Sequence, residues 1–297
     1  MQNTRERCLV TGATGYLGGR VAATLERDGW EVVELGRRRR PGAPGIVFSL
    51  GDEVRPIDLS GAKALVHCAY DFQPLTWSDI HRVNVTGTAK LLRAASEAAV
   101  ERLVYISSIS AFEGCRSLYG RAKFESERVA LSLGAVVIRP ALVFGDRPGA
   151  MFGRLVKQVE RARVLPLVGG AQYQYLVHEQ DLTEFICRCV ERGGASPSVA
   201  VTIGHERPLT LRQLLDQLAH AHGRSVAFVP LPWQLVWAVI KAAEWCHVPM
   251  EFRSDSLVSL MYQDPSPDFG PMHELGITCR PFAWAPPTAA SREAQAH

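Results

Sequence analysis

A glycine-rich turn, Thr11-Gly-Ala-Thr-Gly-Tyr-Leu-Gly18, joins an apolar run at Cys8–Thr11 to a helical pattern at Tyr16–Asp28. In such a turn an early glycine permits the tight bend, the next lets the backbone approach a pyrophosphate, and the last lets the helix pack on the strand. The N-terminus of the helix offers unpaired N–H groups to phosphates. The spacing of Gly12, Gly15 and Gly18 therefore predicts a dinucleotide site at the start of a βαβ unit.

Short apolar runs alternate with helical patterns through the first half of the chain. Strands are predicted at Glu31–Leu35, Ile46–Leu50, Ala64–Ala69, Leu103–Ser107 and Ala135–Ile138. Helices are predicted at Tyr16–Asp28, Ser78–Ala99 and Tyr119–Leu131. Strands of a parallel sheet are buried on both faces and read as continuous apolar runs. The alternation predicts an α/β fold, a Rossmann-type doubly wound parallel sheet.

The second half of the chain predicts a smaller, mainly helical cap for the substrate. The dinucleotide-binding domain is predicted at residues 1–145, with a returning segment at about 173–204 whose strands, Tyr175–Val177 and Val199–Ile203, rejoin the main sheet. Residues 146–172 and 205–285 are assigned to the cap, with helices at Leu209–His222, Trp233–His247 and Arg253–Gln263. Residues 286–297 are small and polar and predict a flexible tail.

The composition is that of an ordinary globular protein, with 47% hydrophobic and 21% charged residues among 297. The net charge of +3 is too small to predict a nucleic-acid partner. No run of 18 apolar residues predicts membrane insertion, and the N-terminus lacks the apolar run of a secretory signal. Membrane-surface contact through Trp233, Trp237 and Trp245 is a minor alternative. The seven scattered cysteines fit buried thiols in a reducing compartment, so a cytoplasmic location is expected, with no metal site.

The end of the second predicted strand bears on the choice between NADP and NAD. Arg37 and Arg38 follow Gly36 and would bind a 2′-phosphate, which favours NADP. Glu34 could instead accept hydrogen bonds from the ribose hydroxyls, which would favour NAD. The next two arginines, Arg39 and Arg40, are expected in a solvated loop. Asp52, after the third strand, is placed to reach the adenine.

A possible catalytic pair lies in Tyr119-Gly-Arg-Ala-Lys123. Residues four apart share one face of a helix. A free tyrosine has a pKa near 10, and a nearby ammonium together with an oxidised nicotinamide would lower it enough for proton exchange with an alcohol. Ser107 and Ser108 end the preceding strand, and either could hydrogen-bond a substrate oxygen.

These motifs resemble those of the extended, or atypical-extended, short-chain dehydrogenase/reductase family of the NAD-dependent epimerase/dehydratase type, over roughly residues 6 to 280. Five further motifs carry the resemblance: His67-Cys-Ala69, Asn84-Val-Thr-Gly-Thr88, Tyr105-Ile-Ser-Ser108, Arg139-Pro-Ala-Leu-Val-Phe-Gly145 and Val177-His-Glu-Gln-Asp-Leu182. The family implies a small-molecule substrate and, often, a homodimer.

The resemblance also implies roles for individual residues. Tyr119 would be the acid/base, Lys123 would lower its pKa and hold the ribose, and Ser108 would orient the substrate, with Ser107 as its rival. The predicted cofactor-binding residues are Gly12, Thr14, Gly15, Tyr16, Leu17, Gly18, Arg37, Arg38, Asp52, Cys68, Ala69, Tyr70, Asn84, Ser107, Tyr119, Lys123, Pro140 and Val143.

The sequence is compatible with three functions. A dehydrogenase or reductase of an apolar alcohol or ketone is favoured because Gln174 lies near the position where nucleotide-sugar enzymes of the family carry an arginine for the diphosphate. An apolar predicted cap helix, with Leu235, Val239 and Ile240, points the same way. The alternatives are a sugar or nucleotide-sugar epimerase/dehydratase and a non-catalytic NAD(P)-binding subunit or sensor. Aligning the chain on Gly114 would put Ile109 at the family's catalytic serine position, which leaves the serine assignment open.

Overall fold

The computed structural model describes residues 5–38, 40, 42–192, 198–246, 248 and 252–286. Its strands are β1 (Arg7–Thr11), β2 (Glu31–Gly36), β3 (Gly45–Val47), β4 (Ala64–His67), β5 (Arg102–Ile106), β6 (Val136–Pro140), β7 (Leu142–Phe144), β8 (Val164–Leu167), β9 (Tyr173–His178), β10 (Val201–Ile203), β11 (His205–Thr210) and β12 (Ala227–Pro230).

The helices follow the same order along the chain. They are α1 (Tyr16–Arg27), α2 (Trp77–Ile80), α3 (Gly87–Glu97), α4 (Leu118–Ser132), α5 (Ala150–Arg161), α6 (Glu179–Arg192), α7 (Leu211–Ala221), α8 (Trp233–Trp245), α9 (Ser254–Met261) and α10 (Gly270–Glu274). A short 3-10 helix covers Pro56–Leu59, and a π-helical segment, His81–Thr86, connects α2 to α3.

The chain divides into two units. The first comprises the described parts of Met1–Pro140, Gln180–Ile203 and Asp264–Thr278, and the second those of Ala141–Glu179, Gly204–Gln263 and Cys279–His297. Residues 287–297, most of the predicted tail, lie outside the described residues.

Within the described residues, seven parallel strands form the main sheet of the first unit, in the order β10-β6-β5-β4-β1-β2-β3. Strands β2 and β3 lie on one side of β1, and β4, β5 and β6 lie on its other side, so the strand order reverses between β1 and β4. Ligands of doubly wound sheets bind outside the carboxyl ends of the strands at this switch point. Thr11 of β1 and His67 of β4 are paired at that edge. The predicted Rossmann-type fold is confirmed.

The core of the first unit lies against both faces of the sheet. Helix α1 contributes Val21 and Leu25, which share one face, and α3 contributes Leu91 and Leu92. Each fully buried side chain of this size adds about 1.5–3 kcal/mol to the free energy of unfolding. The core cluster includes Leu9, Val33, Leu35, Leu59, Leu65, Leu91, Leu92, Leu103, Tyr105 and Val137.

The second unit has its own core. Strand β9 lies between β11 and β7, and β12 pairs with β8. The C-terminal segment is part of this packing: the ring of Phe282 lies 4.9 Å from that of Phe144, and Trp284 Nε1 donates to the carbonyl of Gly145 at 3.0 Å. The core cluster includes Phe144, Phe152, Leu155, Val159, Leu176, Leu211, Leu214, Leu215 and Leu218.

Two expectations about this half of the chain differ from the structure. Tyr175–Val177 was expected in the main sheet, which is wrong, because these residues belong to β9 and pair with β7 and β11. Only the second half of β9 is buried, as suits a strand outside the main parallel sheet. Residues 264–278 were expected in the cap but belong to the first unit, where α10 packs against β10. Strand β10 joins the main sheet beside β6, as predicted.

No helix among the described residues is both long and apolar enough to cross a membrane.

Candidate active site

The glycine turn after β1 has the close approaches that its sequence predicts. Gly12 has a φ of +70°, a conformation that favours glycine, and its carbonyl accepts a hydrogen bond from Gly15 N at 2.8 Å. A Cβ atom on Gly12 would lie 3.1 Å from the backbone nitrogen of Ala69, and one on Gly18 would overlap the carbonyl of Gly12. The turn therefore brings β1, the start of α1 and the loop after β4 into backbone contact.

The N-terminus of α1 is open to an anion. Gly15 occupies the N-cap position without a side-chain hydrogen bond, and the first turn carries no acidic residue. Thr14 and Gly15 are exposed, whereas Tyr16 and Leu17 are half-buried. The helix N–H groups and the dipole of α1 therefore suit the pyrophosphate of a dinucleotide. Since side chains on the glycines would fill this cradle, the residues present fit that cofactor.

A buried polar network fixes the loop after β4 to the turn. Thr11 Oγ1 accepts hydrogen bonds from the backbone N–H groups of Cys68 and Ala69, both at 3.1 Å, and lies 2.6 Å from His67 Nδ1. His67 Nε2 lies 2.9 Å from Thr88 Oγ1. The threonine hydroxyl, used twice as an acceptor, donates to Nδ1, so the imidazole is neutral with its proton on Nε2. Burial, with a smaller effect from Lys123, lowers the pKa of His67 to about 3.

Asn84 holds the same loop from its other side. Its Oδ1 accepts from Asp71 N at 2.7 Å, and its Nδ2 donates to Asp71 O at 3.0 Å. The residue is buried in the π-helical segment, a feature that often marks a functional site. Both polar groups of the amide are thus engaged by protein backbone. The structure shows that Asn84 fixes the backbone of the loop after β4. Its expected contact with the cofactor stays a prediction.

The carboxylate of Glu34 is engaged within the protein. Glu34 is 1% exposed and accepts hydrogen bonds from Arg40 N at 2.9 Å and from Arg40 Nε. Arg40 also donates to Glu26 Oε1 at 2.6 Å. The expectation that Arg40 belongs to a solvated loop is therefore wrong, because its guanidinium bridges two carboxylates. Arg39 lies outside the described residues.

The other residues predicted around the adenosine lie at the surface. Arg37 and Arg38 are exposed, and in the described part of the chain neither side chain has a hydrogen-bond or ion-pair partner. Asp52 is also exposed, and its Oδ2 accepts from Ser49 N at 2.9 Å. These groups are accessible to a ligand.

Helix α4 begins at Leu118, directly before Tyr119, so both residues of the predicted catalytic pair lie in its first two turns. Ser117 caps the helix by accepting from Gly120 N at 3.1 Å. A Cβ atom on Gly120 would overlap the carbonyl of Ser110, so glycine lets the first turn lie directly on the loop after β5. Lys123, one turn later, is buried and donates to Ile106 O at 2.7 Å. Burial lowers its pKa to about 8, although the Cys68 and Glu127 side chains act in the opposite direction.

The half-buried side chain of Tyr119 lies among aromatic rings. Its ring centroid is 4.9 Å from that of Tyr70, in an edge-to-face arrangement, and 5.8 Å from that of Phe72, in a stacked one. Burial raises the pKa of Tyr119, and a hydrogen bond with the Ser108 side chain lowers it in part. The expected lowering of this pKa by Lys123 together with an oxidised nicotinamide stays a prediction; the ammonium itself donates to the carbonyl of Ile106.

The structure distinguishes the two adjacent serines. Ser107 is buried and donates to Glu127 Oε1, a carboxylate that also receives two hydrogen bonds from Arg139, at 2.8 and 2.6 Å. Ser108 is half-buried, hydrogen-bonds Tyr119 and accepts from Ser110 N at 3.1 Å. Ser108 is therefore the serine beside the tyrosine hydroxyl, and Ser107 belongs to a buried ionic network.

The structure brings most of the predicted residues of the first unit to one edge of the sheet. Cys68, Ala69 and Tyr70 follow β4, and the carbonyl of Pro140, at the end of β6, accepts from Ile109 N at 3.0 Å. Val143 lies on β7 in the second unit, and its predicted cofactor contact stays a prediction. Sequence reasoning missed Thr11, Glu127 and the clamping role of Asn84. The described residues include no cluster of three side chains that could hold a metal ion.

The chain is similar to known proteins over most of its length. Residues 8–204 match the NAD dependent epimerase/dehydratase family. The UDP-glucose 4-epimerase of Vibrio cholerae is 28% identical over 260 residues, which cover 75% of this chain and 78% of that protein. The 4-hydroxy-2-methyl-3-oxo-4-farnesyl-3,4-dihydroquinoline-1-oxide ketoreductase of Stigmatella aurantiaca is 25% identical over 288 residues, which cover 86% of each chain.

A solved structure shares the fold. MoeE5 in complex with UDP-glucose and NAD superposes with a TM-score of 0.65 at 23% identity, over 76% of this chain and 85% of that chain. The family match covers more than half of the chain and includes the glycine turn and the Tyr119–Lys123 helix. The chain therefore belongs to the NAD-dependent epimerase/dehydratase family of extended short-chain dehydrogenases/reductases.

Proposed function

We propose that this protein is an NADP-dependent reductase or dehydrogenase that acts on an apolar ketone or alcohol. The observation that carries the proposal is the arrangement of Ser108, Tyr119 and Lys123. The hydroxyl groups of Ser108 and Tyr119 hydrogen-bond each other, and the buried ammonium of Lys123 lies on the same helix as Tyr119, one turn later, at the edge of the sheet where a dinucleotide would bind.

The chemistry divides between the cofactor and the chain. A bound nicotinamide dinucleotide supplies or accepts the hydride. The hydroxyl groups of Ser108 and Tyr119 would hold the carbonyl oxygen of the substrate between them. Because the pKa of Tyr119 lies above its usual value of 10, the phenol keeps its proton at neutral pH and can donate it to the oxygen as the carbonyl is reduced. The buried positive charge of Lys123 would stabilise the tyrosinate that this transfer leaves.

The environment of the second strand supports NADP over NAD. The carboxylate of Glu34 is engaged by Arg40, so it is poorly placed to accept hydrogen bonds from ribose hydroxyls. The exposed guanidinium groups of Arg37 and Arg38 could bind a 2′-phosphate, for which Arg is well suited.

The relatives divide between two substrate classes. The Stigmatella relative is a ketoreductase of a farnesylated dihydroquinoline, whereas the Vibrio relative is a UDP-glucose 4-epimerase. Gln174, near the position where the nucleotide-sugar branch would need an arginine, engages its amide with the carbonyl of Tyr173 at 2.8 Å. Together with the aromatic rings around Tyr119, this favours the apolar ketone. Transient oxidation of a nucleotide sugar is the second candidate.

One experiment separates these candidates. Protein stripped of nucleotide is incubated with NADPH and a panel of cyclic and linear ketones while absorbance at the nicotinamide band is followed, and in parallel with NAD and UDP-glucose. Ketone-dependent consumption of NADPH supports the proposal, and interconversion of UDP-hexoses without net cofactor consumption supports the epimerase. Tyr119→Phe should abolish turnover, while Tyr173→Phe, at an exposed tyrosine of the second unit, serves as control. Turnover that survives in Tyr119→Phe would contradict the assigned acid.

We propose a homodimer, as the family resemblance implies, which light scattering of the purified protein tests directly. The described cysteines are all free thiols, which suits a reducing, cytoplasmic compartment.

A further inference from the structure

We propose that Tyr70 and Phe72 are the specificity-determining residues of this site and that they recognise a flat, apolar ring attached to the reacting carbonyl. This inference rests on the proposed function and deepens it. It assigns to the loop after β4 a role in choosing the substrate, in addition to any contact with the cofactor.

Both rings contact the phenol that would transfer the proton. Tyr70 meets Tyr119 edge to face, Phe72 stacks on it with an angle of 21° between the rings, and the centroids of Tyr70 and Phe72 are 4.8 Å apart. The ammonium of Lys123 lies 5.3 Å from the ring centroid of Tyr70. Any group bound at the Tyr119 hydroxyl therefore lies close to two aromatic surfaces.

The loop that carries these rings is held in place. Asp71, the residue between them, has both its backbone N–H and its carbonyl paired with Asn84, and its Oδ1 accepts from Gln73 N at 2.9 Å. Because the backbone is fixed between the two aromatic residues, little conformational entropy is lost when a ligand packs against them. Preorganisation of this kind favours binding of a rigid partner.

The two rings differ in how much surface they offer. Tyr70 packs against the small cluster formed by Ile80, Val85 and Ala122. Phe72 is 58% exposed, which leaves a large apolar face in contact with water. Burying that face against a flat apolar body is favourable, because contacts between aromatic rings add to the gain from buried area alone.

The chemistry of the loop also argues against a sugar as the group bound here. A hexose needs hydrogen-bond partners for its hydroxyl groups. The backbone N–H and carbonyl of Asp71, between the two rings, are already paired with Asn84 and are not offered to such hydroxyl groups. The contacts of this segment with the Tyr119 ring are made by the rings of Tyr70 and Phe72.

The test compares two ketones of equal carbon number, the bicyclic 2-tetralone and the linear 2-decanone. The wild type, Phe72→Ala, Phe72→Trp and the control Ile57→Ala, at an exposed apolar residue of the 3-10 helix, are assayed with NADPH. We expect Phe72→Ala to raise KM for 2-tetralone about tenfold, with little change in kcat and less than a twofold effect on 2-decanone. Phe72→Trp should keep the preference for 2-tetralone, and Ile57→Ala should behave as the wild type.

Binding is measured separately, so that the inference does not depend on turnover. Saturation-transfer NMR reports contact of each ketone with the protein in the presence of NADP⁺, whether or not the ketone is reduced. Binding of 2-tetralone that is about tenfold weaker in Phe72→Ala supports the inference even if the proposed reduction fails. Equal binding to the wild type and Phe72→Ala, or binding to neither, overturns it.

Discussion

Replacing Ser107 and Ser108 one at a time by alanine separates stability from catalysis at two adjacent positions. The hydroxyl of Ser107 donates to the buried carboxylate of Glu127. A hydrogen bond to a charged group contributes about 1.5–3 kcal/mol. Because Arg139 keeps two hydrogen bonds to that carboxylate, we expect Ser107→Ala to lower the free energy of unfolding by about 1.5 kcal/mol, at the lower end of that range. Its effect on turnover should be small.

Ser108→Ala should have the opposite profile. Its side chain is half-buried, so the free energy of unfolding should change little. If Ser108 holds the substrate oxygen with Tyr119, losing this donor should lower kcat by about 10²–10³-fold, as observed for donors that stabilise a developing oxyanion.

The assay combines thermal unfolding with the NADPH-coupled rate on whichever ketone the wild type reduces best. For domains of 150–250 residues, 1 kcal/mol corresponds to about 2–4 °C in Tm, so Ser107→Ala should unfold about 3–6 °C below the wild type. Each variant is the control of the other, because the two differ by one position in the chain. An inactive Ser107→Ala with unchanged Tm, beside an active Ser108→Ala, would refute the assignment.

Three other perturbations test the cofactor site. Exchanging Arg37 and Arg38 for alanine should weaken NADPH binding at least tenfold and leave NADH binding unchanged, by fluorescence titration; equal losses for both nucleotides would contradict a 2′-phosphate site. Gly18→Ala should abolish nucleotide binding because its Cβ would overlap a backbone carbonyl, whereas Gly29→Ala, where the space is open, should lower stability only. Because folding lowers the pKa of His67 to about 3, this imidazole binds a proton between pH 6.5 and 3 in the unfolded chain but not in the native protein. The contribution of neutral His67 to the free energy of unfolding is complete above pH 6.5, and about 2 kcal/mol of it should be lost by pH 5, as measured by denaturant titration. If the stability of a His67→Asn variant falls by the same amount between pH 7 and pH 5, His67 is not the cause of the pH dependence.

The glycine turn and the start of α4 were predictable because their signals are local. The requirement for glycine at position 18 arises from its contact with the Gly12 carbonyl in the same turn, and the local requirement at position 12 is its φ of +70°. The same holds for Tyr119 and Lys123, which the helical repeat places on one face. The fold class followed from the alternation of apolar runs, since parallel strands need crossover helices.

The features that sequence reasoning missed depend on side chains that meet only in three dimensions. Nothing near Arg40 indicates that its guanidinium turns back to Glu34 and Glu26, because this needs the conformation of the loop after β2. Glu127 belongs to no recognised motif, and its importance arises from Ser107, which directly follows β5, and from Arg139 on the neighbouring strand β6. Strand β9 was assigned to the wrong sheet because a short apolar run does not specify its partner.

The pairing of β10 with β6 has a consequence for synthesis of the protein. Strand β6 is made early, but the strand that pairs with its outer edge, β10, follows only after the segment Ala141–Glu179 of the second unit has been translated. Until then a nascent chain presents the unpaired N–H and C=O groups of an apolar parallel strand, which can template association with other chains. Helix α10, which packs on β10, is added later still. The first unit therefore depends for its completion on segments that are translated after parts of the second unit, and truncation before residue 264 would release a chain that lacks α10 on its sheet.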